Sequence, residues 1–235
     1  MARTSGGTRT DGVYQLLRAD ILGGRLEPGQ RLKFPDLCVR YDTSVGAGRE
    51  ALTRLAAEGF VVTRPHQGYI VRPLSHEDLA DLTQARMEIE SLVLRLAVES
   101  GDMQWEGAAV AAHHVLHRTA LRNPDDPGHP SDEWSAAHAA FHGALLSGCR
   151  NQRLLATARS LRQEAELYLQ WSVSFGDEPD RDLAGEHRAI LDAVVARDAD
   201  RAGELIRDHI AHTAQLLISC ASDEPNRADG VSVEK

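Results

Sequence analysis

The distribution of strand and helix patterns along this chain constrains its fold more than any other feature. A pattern typical of short strands bounded by turn residues stands before residue 75, in the segment FVVTRPHQGYIVRP. From residue 75 onward, apolar residues recur at the three- and four-residue spacing of amphipathic helices, and no strand pattern follows. We therefore predict a mainly α-helical protein in which a small front part with strands precedes an all-helical rear part.

The front part has the element order of a winged helix-turn-helix. Helical patterns cover about residues 12–21 and 35–40, and a third helix runs from a cap at Ser44 to Gly59, a typical C′ residue. Two short strands follow and are joined by a turn: Phe60–Thr63 and Tyr69–Arg72. The same order also fits a small domain of helices and strands that binds no nucleic acid.

Net charge divides the chain at the same point. Residues 1–75 contain 11 Lys and Arg and 7 Asp and Glu, a net charge of +4, whereas the rest contains 15 and 28, a net charge of −13. A basic front and an acidic rear indicate two modules with different partners. We predict a DNA-binding domain at 11–73 and a helical domain at 74–221, between disordered tails at 1–10 and 222–235.

Membrane and disulfide-rich classes do not fit the sequence. No apolar run approaches the roughly 18 residues of a membrane span, and the start MARTSGGTRT lacks the apolar core of a signal peptide. The three cysteines, Cys38, Cys149 and Cys220, are far apart and form no CxxC pair, which favours reduced thiols. We therefore expect a cytoplasmic protein with no membrane partner.

The rear part reads as a series of amphipathic helices. The first covers about residues 75–101 and begins with a capping box of Ser75 and Asp78. The others are predicted at about 103–121, 131–148, 151–172, 180–197 and 199–220. Loops are predicted at 122–133 and 174–180. Helices joined in this way predict an antiparallel bundle.

Four histidines on three of these helices point toward the predicted core. His138 and His142 stand four residues apart, while His187 and His209 fall on the apolar stripes of two later helices. A single histidine on an apolar face is usually a core residue bonded to a carbonyl group, and this interpretation stays open. Four imidazoles on facing helices favour instead a site for a transition metal such as Zn, Ni, Cu or Fe(II).

Two further patterns allow alternatives. His113 and His117 also stand four apart, but the sequence offers them no further ligand, and we interpret them as packing or surface residues. Arg86 falls on an apolar stripe, where a guanidinium needs an anion. It could pair with Glu90 one turn later, or it could bind the carboxylate of a ligand.

The candidate DNA contacts lie on the third helix and the wing. Arg49 and Arg54 project from this helix, and His66 and Gly68 lie at the wing tip. Arginines on a recognition helix can reach guanine edges or phosphates. Arg49, close to Ser44 at the helix start, is the stronger candidate, since Arg54 could equally be a solvated surface charge.

Five segments of the chain carry a family resemblance. Two of them lie in the front part: LRADILGGRLEPGQRL, which resembles a G-x-L-x-P-G-x-x-L turn, and SVGAGREALTRLAAEGFV, which resembles a recognition-helix signature. The other three lie in the rear part and resemble effector-domain motifs: ARMEIE, HAAFHGALLSGCRNQRLL and EHRAILDAVVARDADRAGELIRDHI. Together, over about residues 12–220, they resemble the GntR family of bacterial transcription regulators, in its FadR-like branch with an all-helical FCD effector domain.

The resemblance implies a role for each candidate residue. It implies DNA contacts at Ser44, Arg49, His66 and Gly68. It implies metal ligation by His138, His142, His187 and His209. It implies binding of an effector carboxylate by Arg86, and Asn151 matches a family asparagine, although Asn151 could equally cap the helix that it opens.

The chain departs from the family pattern in two places. The recognition-helix signature has Arg-Thr-Pro-Val where this chain has residues 45–48, VGAG, so a base-reading arginine is absent and the helix start is flexible. The first metal ligand of the family is aspartate, here His138, as in relatives of the carbon-starvation-induced regulator type. Four neutral imidazoles favour Zn or Ni over Mn. Because they do not neutralise the charge of the metal ion, an anionic effector bound to the metal would fit the charge balance.

We predict a DNA-binding transcriptional regulator that acts as a repressor. It would bind a palindromic operator as a homodimer, and a small carboxylic acid bound at the metal would control its affinity for the operator. The alternative is a metal-dependent hydrolase or oxygenase in a helical bundle. Between His138 and His142 stand Ala139, Ala140 and Phe141, so no general base occupies the place that H-E-x-x-H would give it. We therefore predict no enzyme. A DNA-architectural protein would require a bundle without metal or effector.

Overall fold

A computed structural model of the chain describes residues 9–73, 75–123, 126–175 and 181–222. The predicted tails lie outside the described residues apart from positions 9, 10 and 222, which are helical. The front part contains α1 (Arg9–Leu22), β1 (Arg31–Leu32), α2 (Phe34–Arg40), α3 (Val45–Ala57), β2 (Val61–Arg64) and β3 (Gly68–Val71). This order confirms the predicted winged helix-turn-helix.

Both ends of α3 follow from local sequence. Ser44 has extended backbone, and its Oγ accepts a hydrogen bond from the amide of Ala47 at 3.3 Å, as an N-cap does. Gly59 ends the helix with φ at 83°, a left-handed conformation that glycine adopts without strain. The amide of Phe60 then donates to the carbonyl of Leu55 at 2.9 Å. The recognition helix is therefore fixed at both ends.

The wing is a three-stranded antiparallel sheet in the order β1, β3, β2. Val62 pairs with Ile70 across the hairpin, and Leu32 of β1 pairs with Tyr69 on the other side of β3. The sequence analysis did not predict β1. Two residues within a Gly- and Pro-rich segment are too few to show the alternation that marks a strand.

The rear part is a helical domain, as predicted. Its helices are α4 (His76–Ser100), α5 (Met103–Arg118), α6 (Asp132–Leu146), α7 (Gln152–Phe175), α8 (Leu183–Val195) and α9 (Ala199–Ser222). Ser75 caps α4 by accepting from the amide of Asp78 at 3.3 Å, which confirms the predicted cap. Among the described helices, none is both long enough and apolar enough to cross a membrane.

A short hairpin corrects the prediction that no strand follows residue 75 and that 122–133 is a loop. It pairs β4 (Arg122–Asn123) with β5 (Asp126–Pro130). The amide of Ser131 donates to the carbonyl of Leu121 at 2.8 Å and closes the base of the hairpin. This segment is rich in Pro, Asp and Gly and lacks β-branched residues, so its sequence carries the signal of a turn and none of a strand.

Two cores are joined along α7. The rear core centres on fully buried residues such as Phe141, Leu145 and Ile206. The front core packs α1 and α3 against the sheet, and it includes Leu167 from α7. Arg18 of α1 also forms an ion pair with Glu166 of α7 at 2.5 Å. The winged helix therefore packs directly against a helix of the rear domain.

Candidate metal centre and DNA-binding surface

Three helices bring the four predicted metal ligands together. His138 and His142 lie one turn apart on α6, His187 lies on α8 and His209 on α9. One nitrogen from each ring lies within 4.8 Å of the corresponding nitrogens of the other three. The separation of ring centroids ranges from 4.6 Å to 6.3 Å. The spacing of histidines in the sequence thus corresponds to one cluster in space.

The cluster is buried, and several of its nitrogens have no partner. The exposed fraction of the four residues is between 0% and 6%. Among the described residues, no hydrogen bond reaches Nδ1 or Nε2 of His142 or Nε2 of His187. Buried polar atoms are nearly always hydrogen-bonded, and lone exceptions need an explanation. Four convergent imidazoles fit a divalent transition metal, which would bind these nitrogens directly.

Glu186, outside the cluster, fixes the orientation of His209. Its Oε2 lies 2.7 Å from Nδ1 of His209, and Arg181 donates to the same carboxylate at 2.8 and 2.9 Å. Because a carboxylate can only accept, Nδ1 of His209 carries the proton and Nε2 remains as the ligand atom. Glu186 was not among the residues predicted from the sequence, although it directly precedes His187.

The electrostatic environment keeps these histidines neutral. Burial, with the neighbouring histidines and Arg162 adding to it, lowers the pKa of His138 and of His142 well below its ordinary value. Burial also lowers the pKa of His187 to about 2. Burial alone would raise the pKa of Glu186, but hydrogen bonds from His209 and Arg181 outweigh it and lower that pKa strongly. Neutral imidazole is the form that binds metal.

The second histidine pair lies apart from the cluster. His113 is buried and packs edge-on against Phe141, with ring centroids 5.3 Å apart. His117 is exposed and stacks on His113 at 6.1 Å. These are a packing residue and a surface residue, as the sequence analysis interprets them.

The two predicted effector residues both have partners within the protein. Nε of Arg86 donates to Glu90 at 2.6 Å, which is the helical pair that the sequence allows as an alternative. Asn151 is exposed, and its Oδ1 accepts from the amides of Arg153 and Leu154, each at 3.2 Å, at the start of α7. Each residue therefore has a structural role beside its predicted one.

Arg162, which the sequence analysis missed, completes an ionic triad. Its Nη1 lies 3.0 Å from the second carboxylate oxygen of Glu90, so Glu90 bridges Arg86 and Arg162. All three side chains are buried. The pKa of Glu90 stays low because the two guanidiniums outweigh its burial. Arg162 could have been found on the α7 stripe that also contains Leu155, Ala158 and Ala165.

The predicted DNA contacts lie at the N-cap of α3, on α3 itself and in the wing. Arg49 is exposed, with its guanidinium 5.1 Å from the ring centre of Phe34. His66 and Gly68 form the wing turn with φ values of 62° and 75°. Arg54 is exposed but pairs with Asp11 of α1 at 2.7 Å. Arg54 is therefore held against α1, whereas Arg49 and the wing turn are open to a partner.

Family comparisons assign both parts of this structure. The profile of bacterial regulatory proteins of the gntR family matches residues 9–71, and that of the FCD domain matches residues 81–212. The chain belongs to the GntR family. As a GntR-family protein with an FCD effector domain, it is a DNA-binding transcriptional regulator. Because members of this family are regulators, the alternative of a hydrolase or oxygenase is excluded.

Relatives and solved structures agree with this assignment. The transcriptional regulator BphR of Paraburkholderia xenovorans is 38% identical over 212 residues, which is 88% of this chain and 84% of BphR. The transcriptional repressor GlaR of Escherichia coli is 35% identical over 207 residues, 86% of this chain and 92% of GlaR. Two solved structures share the fold, and each match covers 91% of this chain and 99% of the other. They are Escherichia coli McbR/YncC, with 20% identity and a TM-score of 0.72, and a GntR protein from Rhodococcus sp. RHA1, with 24% identity and a TM-score of 0.70.

Proposed function

We propose that this GntR-family protein is a homodimeric repressor whose affinity for a palindromic operator is controlled by a small carboxylic acid bound at a divalent metal. The observation that carries the proposal is the buried cluster of His138, His142, His187 and His209. In this proposal the cluster holds a metal within the effector domain, and the bound acid is the signal. A repressor role accords with the name of GlaR, and DNA as the partner favours a cytoplasmic location.

The donor set favours zinc, with nickel second. Four imidazoles suit either metal and suit Mn, Mg or Ca poorly. When bound, the metal would supply a positive charge and a coordination position for an anion. Arg181 and Glu186 would hold His209 in the ligating tautomer.

An anionic effector fits the charge of this site. The four ligands are neutral, because burial lowers the pKa of each histidine. A divalent ion in this shell would therefore keep its full positive charge, and buried charge needs a counter-ion. A carboxylic acid supplies that charge, and the predicted effector residues Arg86 and Asn151 remain candidates to bind it.

Operator binding is assigned to α3 and the wing. Arg49 would read bases or phosphates, and Ser44, His66 and Gly68 would contact the backbone. Arg64 is exposed next to the wing tip, and we therefore propose it as a further contact. Arg54 remains a predicted contact, although its pair with Asp11 competes with that role. A dimer would present two such surfaces to a palindrome.

The proposal is tested by measuring operator affinity with and without metal and acid. An operator is first selected from random-sequence DNA with the purified protein. Fluorescence anisotropy then measures its affinity for zinc-loaded and metal-free protein in the presence of acetate, benzoate, succinate or citrate. We expect at least one acid to weaken operator binding by about 5- to 150-fold, and only with metal bound.

Matched variants make the test specific for the cluster. His187→Ala should lose metal and the acid effect, whereas His113→Ala, which changes a buried histidine outside the cluster, should keep both. Acid binding without any change in operator affinity would contradict the regulatory role. Full acid response in metal-free protein would contradict the metal.

A further inference from the structure

The recognition helix begins with an apolar residue that the domain core covers only in part. Val45 directly follows the cap residue Ser44, and its exposed fraction is 48%. The core side of α3 is formed by other residues, which are Gly48, Ala51, Leu52 and Leu55. A single exposed valine is ordinary on most protein surfaces. On the helix that binds DNA, however, it is open to a partner.

The position of Val45 on α3 places it toward that partner. Val45 and Arg49 stand four residues apart and are therefore neighbours on the helix surface. Arg49 is itself exposed and is proposed above to reach bases or phosphates. In a helix-turn-helix, the second helix enters the major groove and its N-terminal residues contact base edges. Val45 is the first residue of that end, so its methyl groups would face the bases.

The chemistry of valine selects among the base edges in the major groove. The isopropyl group neither donates nor accepts a hydrogen bond. Guanine, cytosine and adenine present only polar groups there, whereas thymine also presents its C5 methyl group. A polar edge against Val45 would lose water without gaining a partner, but the methyl group of thymine would bury apolar surface. Val45 therefore favours thymine, where the arginine of the family signature would favour guanine.

The next residue, Gly46, gives a second indication of a close partner. A Cβ added to Gly46 would meet one atom within 4 Å, Oγ of Ser44 at 3.9 Å, and φ of Gly46 lies outside the left-handed region. Neither packing nor backbone conformation requires glycine at this exposed position, although glycine lowers the stability of a helix. A residue without a side chain does allow a ligand to approach the backbone closely.

We propose that Val45 determines operator specificity by contacting the C5 methyl group of a thymine in each half-site. Gly46 lets the first turn of α3 approach the base edges closely enough for this contact. The inference rests on the operator binding in the proposed function and specifies one base of the operator. It requires neither the metal nor the acid.

Replacing thymine by uracil tests the contact itself, because uracil lacks only the methyl group. An operator is selected from random-sequence DNA with the full-length protein, and each of its thymines is then replaced in turn by uracil. Fluorescence anisotropy measures the affinity for each DNA. We expect one thymine in each half-site at which the replacement weakens binding about fourfold, which corresponds to about 0.8 kcal/mol for one buried methyl group. No loss at any thymine would overturn the proposal.

Variants of Val45 assign the methyl contact to this residue. In Val45→Ala the loss caused by uracil should fall below about twofold, because the shorter side chain withdraws from the base. Val39→Ala is the matched control, since Val39 is an exposed valine on α2, and it should retain the fourfold loss. Selection with Val45→Arg should replace the thymine by guanine. A fourfold loss that persists in Val45→Ala would contradict the assignment.

A pair of glycine variants tests the close approach. Gly46→Ala should raise the melting temperature by about 1–4 °C, because alanine favours the helix, yet weaken operator binding at least about fivefold. Gly48→Ala, on the core side of the same helix, should raise the melting temperature similarly and change operator affinity by less than about twofold. Wild-type operator affinity in Gly46→Ala would refute the close approach.

Failure of this inference can be distinguished from failure of the proposed function. A protein that binds its operator with the uracil effect but responds to no acid would contradict the proposed function and support the thymine contact. A protein that responds to acid but binds uracil-substituted operators with full affinity would overturn the thymine contact alone.

Discussion

A single residue outside the histidine cluster fixes the orientation of one of its rings. His209 would present the wrong nitrogen, or none in a fixed orientation, without the carboxylate of Glu186. That carboxylate is itself held by Arg181, which also donates to Thr213 at 2.9 Å. Such partners orient ligands and raise their basicity, so they affect metal affinity without contacting the metal.

Replacing Glu186 by Gln tests this positioning role. The variant keeps a hydrogen-bond acceptor for His209 but removes the negative charge, so zinc affinity should fall by about tenfold while the fold persists. Competition with a chelator measures the affinity, and the absorption spectrum of the cobalt-substituted protein reports the altered coordination. Glu204→Gln, an exposed change on the same helix as His209, should alter neither. Unchanged zinc affinity in Glu186→Gln would refute the role.

The buried histidines also predict how stability depends on pH. Their pKa values are lower in the folded metal-free protein than the ordinary 6.5, and burial is the main cause. Below about pH 6.5 the unfolded chain therefore binds more protons than the folded protein, and the free energy of unfolding falls with falling pH. Urea unfolding of metal-free protein between about pH 7.5 and 5.5 measures this slope. The variant His142→Leu should show a smaller fall in the free energy of unfolding over this pH range. An equal fall in the variant and the wild type would contradict a contribution from His142.

At the scale of elements, α3 combines a good cap with a weak first turn. Gly48 is buried in this helix, and a Cβ added there would meet Phe34 at an ordinary 3.9 Å. Glycine in a helix costs up to about 1 kcal/mol relative to alanine. The glycine therefore offsets part of the stability that the Ser44 cap gives to the start of the recognition helix.

Gly48→Ala should raise the free energy of unfolding by about 0.4–1 kcal/mol, because the unfolded chain loses freedom and the folded chain gains no clash. Thermal or urea unfolding measures the gain. Gly29→Ala is the control and should destabilise, because Gly29 has φ at 79°. Destabilisation by Gly48→Ala would mean that the start of α3 has no room for a side chain.

The sequence predicted helices and the histidine cluster well because both depend on regular spacing. Histidines that stand one turn apart on α6, or on the apolar stripes of α8 and α9, must face the same core. β1 and the hairpin of β4 and β5 escaped prediction because their residues carry turn signals. The pairing of Arg162 with Glu90 was missed because the two residues are 72 positions apart, and contacts between distant helices leave no periodic pattern in the sequence.

In the whole molecule, α7 connects the FCD domain with the DNA-binding domain. Within two turns it contributes Arg162 to the ion pair with Glu90, Glu166 to the ion pair with Arg18, Leu167 to the front core and Tyr168 to a hydrogen bond with Asp78 at 2.7 Å. A ligand that moves α7 must therefore disturb the contact with α1. We therefore expect the contact between α1 and α7 to take part in any coupling between the two domains.

Arg18→Gln should weaken the coupling between the two domains. The variant loses the ion pair with Glu166, while the apolar contact of Leu167 with the front core remains. We expect zinc content to be unchanged and the effect of acid on operator affinity to fall at least about threefold. Anisotropy with the selected operator measures the effect. Arg188→Gln, which breaks an exposed pair on α8, should leave the response as in wild type.

X-ray absorption at the zinc edge tests the proposed four-histidine metal site. The zinc-loaded protein should show four imidazole nitrogens at about 2.0–2.1 Å, and His138→Ala should show three. That variant matters most because His138 replaces the family aspartate. A sulfur ligand near about 2.3 Å, or an imidazole count that His138→Ala leaves unchanged, would contradict the site.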